Sequence, residues 1–158
     1  MDFLPLFQWF EATAPGTIVR ESIWMFPVIQ CFHLLALSLL GGSVLAVDMR
    51  MLGFGLTTTP LAELGRRLHP WMVLSLVAIN VTGILMFLSE AIKCFYSPPF
   101  FYKISFLVIA IIYTFTLWRR VVESEPGSFS ASRNRIAALL SLALWFGVGF
   151  SGRWIAFY

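Results

Sequence analysis

The residue in this chain that is best suited to chemistry is His33, which lies inside an apolar run from Ile23 to Val47. The run is long enough to cross a lipid bilayer as a helix. An ionisable side chain at that depth is costly unless it faces protein, water or a cofactor, so it usually marks a functional site. Because neutral imidazole is a common axial ligand of haem iron, we expect His33 to ligate the iron of a haem b.

Polar residues of the next predicted helix fall at the same depth as His33. Asn80 and Thr82 lie near the centre of the second apolar run, and Gln30 lies one turn before His33 on the same helix face. A ligating imidazole usually donates the proton of its other ring nitrogen to a nearby acceptor. We therefore expect Gln30, Asn80 or Thr82 to orient the His33 ring.

Small residues and cations complete the predicted haem site. A flat macrocycle between helices needs thin helix faces, which are faces where glycine leaves no side chain in the way. The glycines at suitable depths are Gly41, Gly83, Gly147 and Gly149. Met86 is a candidate sixth ligand, and Arg153 or Arg20 is placed to pair with a propionate. The predicted cofactor-binding residues are His33, Gln30, Asn80, Thr82, Gly83, Met86 and Arg153.

The second histidine, His69, is an unsuitable partner for His33. It is expected at the opposite edge of the membrane, about 21 Å from His33 along the helix axis, and one haem cannot bridge that distance. The remaining arrangements are a single-histidine haem, ligation by Met86, or two His33 side chains paired across a homo-oligomer interface. The alternative is that His33 is structural and hydrogen-bonds to Asn80, Thr82 or a backbone carbonyl.

The composition indicates a membrane protein. Of 158 residues, 59% are hydrophobic and 12% are charged, and the mean hydropathy is +0.83; soluble domains are typically about 25% charged. Four apolar runs of spanning length predict an all-α membrane protein of one domain (1–158), in which four transmembrane helices form an antiparallel bundle. The predicted spans cover residues 23–47, 70–91, 101–118 and 136–152, and a short amphipathic interfacial helix covers residues 1–13.

Prolines mark two of the predicted helix boundaries. Ala14-Pro15-Gly16 is expected to break the chain after the interfacial helix. Pro70 is expected at the first position of the second span, which makes His69 the residue that caps this helix.

The charge distribution predicts the orientation in the membrane. The loops that follow spans one and three carry seven of the eleven Lys and Arg residues. By the positive-inside rule these loops are cytoplasmic, so both termini are periplasmic in a bacterial inner membrane. Asp48 is expected at the exit of the first span, paired with Arg66 or Arg67. Glu90 and Lys103 are expected to pair with each other, and the alternative is a quinone or lipid head group beside them.

Several function classes are excluded or ranked low. The basic residues form no stripe, so nucleic-acid binding is excluded. The chain has no nucleophile elbow, phosphate-binding loop or zinc-protease motif, so no catalytic residue is predicted and the question of enzymatic activity stays open. A permease ranks last, because no acidic residue is expected inside the spans.

Two segments resemble a bacterial inner-membrane family of unknown function. The first extends from His33 to Gly53, the second comprises residues 83–91 and 97–103, and the similarity covers residues 24–120. That family is similar in size and in its buried histidine to copper-resistance D-type and small cytochrome b-type membrane proteins. The resemblance implies a four-helix bundle that carries haem and exchanges electrons with quinone or periplasmic partners. The alternative function is a non-catalytic accessory subunit of a larger membrane complex, in which His33 is structural.

Overall fold

The computed structural model of the protein describes residues 3–55, 58–124 and 130–157. Within these ranges the chain is helical and has no strand, which confirms the predicted all-α class. The elements in chain order are α1 (Leu4–Glu11), α2 (Ala14–Glu21), α3 (Met25–Leu52), α4 (Leu61–Ser89), α5 (Ala91–Phe95), α6 (Pro98–Tyr113), a π-helical segment (Thr114–Trp118), α7 (Arg119–Val122), α8 (Ala131–Trp154) and a 3-10 turn (Ile155–Phe157).

Four helical stretches of the described chain are long and apolar enough to cross a membrane. They are α3, α4, the continuous stretch Pro98–Glu123 and α8, which have between 24 and 29 residues. A helix needs about 20 apolar residues to cross the hydrocarbon core of a bilayer. The protein is therefore a multi-pass membrane protein whose environment is a lipid bilayer.

The bundle is built around α3, which packs against α4 on one side and α8 on another, and α6 packs against α8. We call the end of the bundle that holds α1, α2 and α5 the α5 end, and the opposite end the α7 end. Most of the apolar core lies toward the α7 end. Its buried residues are Ala36, Leu40, Val44, Val47, Met51, Leu64, Met72, Ile79, Trp118, Val122, Ala137 and Ala138.

Glycine and serine define two of the ends of the spanning helices. α3 ends at Gly53, whose φ of +90° lies in the left-handed region that glycine tolerates best. The amide of Phe54 then donates to the Met49 carbonyl over 2.8 Å. α8 begins after Ser130, whose hydroxyl accepts a hydrogen bond from the Arg133 amide.

The N-terminal segment contains a helix that the sequence does not predict. A break is expected at residues 14–16, whereas α2 begins at Ala14 and carries Pro15 in its first turn. Proline is well tolerated there, because the amide proton that it lacks has no partner within the helix. The predicted end of the first helix is confirmed, because α1 stops at Glu11 and Thr13 is extended, but residues 14–16 begin a second short helix in place of a loop.

Both N-terminal helices pack on the bundle. The ring of Phe7 lies 5.7 Å from the Phe87 ring and 5.1 Å from the Phe95 ring, measured between centroids. A carboxylate oxygen of Glu11 accepts a 2.7 Å hydrogen bond from the Ile92 amide in the first turn of α5. These contacts tie the predicted interfacial helix to the end of α4 and to α5.

The second spanning helix begins earlier than the sequence predicts. α4 starts at Leu61, so His69 and Pro70 lie inside the helix and the prediction that His69 caps it is wrong. The residues before His69 are held in the helix by packing, because Leu64 and Gly65 are buried and Gly65 lies against the Val122 side chain of α7. This contact also joins α4 to the third spanning stretch at the α7 end.

Replacing Gly16 by alanine is expected to destabilise the fold. A Cβ atom at Gly16 would lie 2.5 Å from the Leu88 carbonyl oxygen, so the backbones of α2 and α4 would have to separate. Overpacking of this kind costs about 1–3 kcal/mol, which SDS-induced unfolding in detergent micelles can measure. Gly41→Ala is the matched control, because nothing lies within 4 Å of its Cβ position. Equal losses in the two variants would contradict the packing of α2 on α4.

Candidate functional site

The site centres on a hydrogen bond between His33 of α3 and Thr82 of α4. The His33 Nδ1 and Thr82 Oγ1 atoms are 2.8 Å apart. The Thr82 hydroxyl also donates to the Ala78 carbonyl oxygen over 2.6 Å. A hydroxyl group has one proton, so when Thr82 donates it to Ala78 it accepts from His33, and the imidazole then carries its proton on Nδ1. The lone pair of Nε2 is then available to a ligand.

Gly83 provides the surface on which the imidazole rests. A Cβ atom at Gly83 would lie 3.4 Å from His33 Cε1 and 3.9 Å from His33 Nδ1, which is ordinary van der Waals contact. The structure therefore brings together three of the predicted site residues, namely His33, Thr82 and Gly83. Because Thr82 lies level with His33, the separation of His69 from Thr82 also gives its distance in depth from His33. That separation is about 20 Å along α4.

The other predicted site residues do not hydrogen-bond to His33 within the described ranges. Gln30 is exposed on the bundle surface. The Asn80 amide donates to the Leu76 carbonyl of its own helix over 2.8 Å. Met86 is half-buried, and Arg153 is exposed with its guanidinium 5.5 Å from the centroid of the Phe157 ring. Depth alone therefore does not place a residue at the site, because the helix face must also be correct.

The glycines predicted to flank a macrocycle differ in their surroundings. A Cβ atom at Gly147 would lie 2.9 Å from the Phe106 ring, so this thin face of α8 is covered by α6. Nothing lies within 4 Å of the Cβ positions of Gly41 and Gly149. Those two faces are open on the surface of the bundle.

Lys103 of α6 is a cation close to His33, whereas the sequence predicts it in an ion pair with Glu90. Its ammonium group is close enough to interact electrostatically with His33, and its Nζ lies 3.6 Å from the Cβ position of Gly152. The predicted ion pair between Glu90 and Lys103 is wrong, because Glu90 pairs with Lys93 over 3.8 Å. Lys93, which lies three residues after Glu90, forms the ion pair, and Lys103 remains in α6 near His33.

Two further polar groups lie at the α5 end. Burial, followed by the negative charge of Glu90, raises the pKa of the Cys94 thiol to about 11. Ser97 is fully buried, and its hydroxyl has no hydrogen-bond partner within the described chain. The thiol is therefore neutral at physiological pH.

The chemistry available at His33 is that of a single oriented imidazole. The described residues contain no group of three or more His, Cys, Asp or Glu side chains that could hold a metal ion. A metal bound here would need most of its ligands from a cofactor. Histidines that bind a metal through one ring nitrogen usually donate a hydrogen bond from the other, and His33 would do so when its Nδ1 proton is donated to Thr82.

Asp48 is a buried acid that the sequence places wrongly. It is expected at the membrane exit in a pair with Arg66 or Arg67, but it is fully buried and accepts a 2.7 Å hydrogen bond from Trp118 Nε1. Arg67 pairs with Glu63 instead. A signal was present in the spacing, because Asp48 follows Leu40 and Val44 at intervals of four on the core face of α3.

Selective replacement of Thr82 tests the assigned tautomer. In wild-type protein with ¹⁵N-labelled histidine, solid-state NMR is expected to show His33 protonated at Nδ1 only, with the His69 signal assigned by its loss in His69→Gln. Thr82→Val keeps the side-chain shape and removes the acceptor, so a mixture of tautomers is expected, with a loss of stability of about 1 kcal/mol. Thr82→Ser retains the hydroxyl and is the control. Protonation of His33 at Nε2 in the wild-type protein would contradict the assignment.

Comparison with known proteins gives the family of the chain and no function. No curated protein and no solved structure matches it significantly. One family model matches residues 6–158, which is nearly the whole sequence, and it is described as a family of unknown function (DUF6644). The match includes all four spanning helices and the His33 site. The chain is therefore a member of the DUF6644 family.

Proposed function

We propose that this protein is a haem b-binding membrane subunit that passes electrons between periplasmic redox partners and the quinone pool. The observation that carries the proposal is the 2.8 Å hydrogen bond between His33 Nδ1 and Thr82 Oγ1; with the ring proton on Nδ1, His33 would hold the haem through Nε2. Haem iron needs only one or two axial ligands from the protein, so it suits a site with one oriented imidazole. Bound haem would supply one-electron redox chemistry.

The residues around His33 fit a haem in part. Thr82 orients the ring, and Lys103 is a cation close to His33 that is suited to a propionate, in place of the predicted Arg153. The thin faces at Gly83 and Gly147 are occupied by the His33 and Phe106 rings, so these two glycines do not provide a slot. Phe106 is 37% exposed, so its ring lies at the edge of the bundle and is not part of the buried core.

The proposal extends to location and assembly. The arginine-rich loops favour a bacterial inner membrane with both termini in the periplasm. No hydrogen bond joins Met86 to His33 in the described part of the chain, so the residue that would hold the haem is His33, alone or together with His33 of a second copy of the chain. The open faces at Gly41 and Gly149 permit such close approach.

The second candidate is a non-catalytic accessory subunit of a larger membrane complex. The same hydrogen bond favours it, because the His33–Thr82 contact joins α3 to α4 and the imidazole packs on Gly83. Hydrogen bonds between membrane helices contribute about 0.6 kcal/mol on average, which is enough to fix helix register. In this case His33 is structural, and a side chain that retains the hydrogen bond can replace it.

A visible difference spectrum separates the two candidates. Protein purified in detergent with haem supplied during expression is expected to show a Soret band that shifts on reduction. His33→Ala is expected to abolish the band, whereas His69→Ala, which removes the distant histidine, is the matched control and should retain it. Thr82→Val is expected to weaken haem binding by about 10–100-fold, because it removes the group that orients the ligand.

The opposite result identifies the accessory subunit. A colourless wild-type protein after expression with excess haem would overturn the haem proposal. The accessory role then predicts that partner proteins co-purify with the chain, and that His33→Gln still assembles with them while His33→Leu assembles less well.

A further inference from the structure

A second buried polar site lies in the α7 half of the bundle, around Asp48. Asp48 has no exposed surface and lies beside Val47 and Met51 in the apolar core. Its Oδ1 atom accepts the 2.7 Å hydrogen bond from Trp118 Nε1. Its Oδ2 atom is buried and has no hydrogen-bond partner within the described chain. One half of the carboxyl group is therefore unsatisfied.

A polar side chain close to the Asp48 carboxyl group is that of Ser141 in α8. Ser141 is 1% exposed, its hydroxyl has no partner in the described chain, and it lies close to the Asp48 carboxyl group. Hydroxyl groups in apolar helices usually donate to the carbonyl four residues earlier. For Ser141 that acceptor is the Ala137 carbonyl, which accepts a 2.8 Å hydrogen bond from the Tyr113 hydroxyl. Tyr113 thereby leaves Ser141 free to face Asp48.

Other hydroxyls of the spanning helices behave in the usual way. Ser75, Thr82 and Ser151 donate to the carbonyls of Trp71, Ala78 and Gly147, over 2.7, 2.6 and 2.6 Å. Ser141 differs from them in that its customary acceptor is taken by another helix. The site therefore holds an unpaired carboxyl oxygen and an unpaired hydroxyl side by side.

An ionised carboxylate fits this site poorly. None of the ion pairs of the described chain includes Asp48, and the titratable group that interacts with it electrostatically is the neutral Tyr113 from α6. A buried charge without a partner costs several kcal/mol. Protonation removes this cost, because the carboxyl group is then neutral: Oδ1 still accepts from Trp118, and Oδ2–H has Ser141 Oγ as a neighbouring acceptor. One bound proton therefore removes the unpaired charge and gives Oδ2 a proton to donate.

We propose that Asp48, Ser141 and Trp118 form an intramembrane proton-binding site. Loading forms an O–H bond at Oδ2, a hydronium ion becomes water, and no electron moves. The reverse step returns the proton to water and leaves the carboxylate with the Trp118 hydrogen bond. The site uses neither His33 nor any cofactor, so it goes beyond the proposed redox role and stands independently of it.

A small cleft provides the route by which the proton reaches Asp48. The cleft has a volume of about 20 Å³ and lies between α4 and the π-helical segment, where His69, Thr114, Trp118 and Arg119 line it. A space of this size holds one water molecule. The buried Nε2 atom of His69 has no hydrogen-bond partner in the described chain, so such a water would satisfy it.

Trp118 separates the cleft from the carboxyl group. Its indole ring lines the cleft and its N–H bonds to Asp48, so water in the cleft reaches Asp48 only when Trp118 moves. Trp118 ends a π-helical segment, a local irregularity of the kind that is frequent at functional sites. Trp118 therefore acts as the gate of the proton site.

Infrared spectroscopy of the protein in lipid vesicles at pH 7 tests the site. Asp48 is expected to give the carbonyl stretching band of a protonated carboxylic acid, which an ionised carboxylate does not give. The band is expected to be lost in Asp48→Asn, which is neutral and similar in shape, and retained in Glu63→Gln, which removes an exposed acid. Ser141→Ala is expected to shift the band, because the acid loses its acceptor. Trp118→Ala is expected to speed its hydrogen–deuterium exchange.

Each other outcome overturns part or all of the proposal. Absence of the acid band at pH 7, or a band that survives in Asp48→Asn, would exclude the proton site. A carboxylate band that differs between sodium and N-methylglucamine buffers would identify a metal-cation site in its place. Exchange that is equally fast in wild type and Trp118→Ala would exclude the gate. If Asp48→Asn does not fold, the Ser141→Ala shift measured on the wild-type background decides the assignment.

Discussion

The structure depends on one constraint, which is that a polar group inside the membrane must find its partner within the protein. Backbone groups meet the constraint by forming helices, and several hydroxyl side chains of the spans meet it by bonding to their own helix. His33 and Asp48 meet it differently, because their side chains project from α3 and bond to other helices. Their partners are Thr82 of α4 and Trp118 of the third spanning stretch. Helix α3 is therefore held by polar contacts on two sides as well as by its apolar core.

The fold was predictable from hydropathy, because apolar runs of spanning length have few alternatives in a membrane. The helix ends were less predictable. Pro15 and Pro70 look alike in sequence, yet the first opens α2 and the second lies within α4. What distinguishes them is the packing of Gly65 against Val122, a contact between residues far apart in the chain. Such contacts leave no local trace in the sequence.

The sequence predicts the depth of the candidate site in the membrane, but not which face of each helix turns toward it. Matching the depths of two antiparallel helices correctly groups His33 with Thr82 and Gly83. It also includes Gln30 and Arg153, which lie at exposed positions. Tertiary contacts decide which face of such a helix turns inward, because a helix that is apolar on all sides carries no stripe that marks its buried face. Asp48 is misplaced for a related reason, since a charged residue after a long apolar run is expected to end the span, although α3 continues to Leu52.

The two polar sites on α3 lie far enough apart to act separately. Fifteen residues of helix place Asp48 about 22 Å from His33 along the axis. At an effective dielectric constant of about 20, two unit charges at that separation interact by about 0.8 kcal/mol, which changes an equilibrium by a factor of about four. An electron near His33 and a proton on Asp48 would therefore influence one another only weakly through space. Stronger coupling would require movement of a shared element, and that element is α3, which carries both His33 and Asp48.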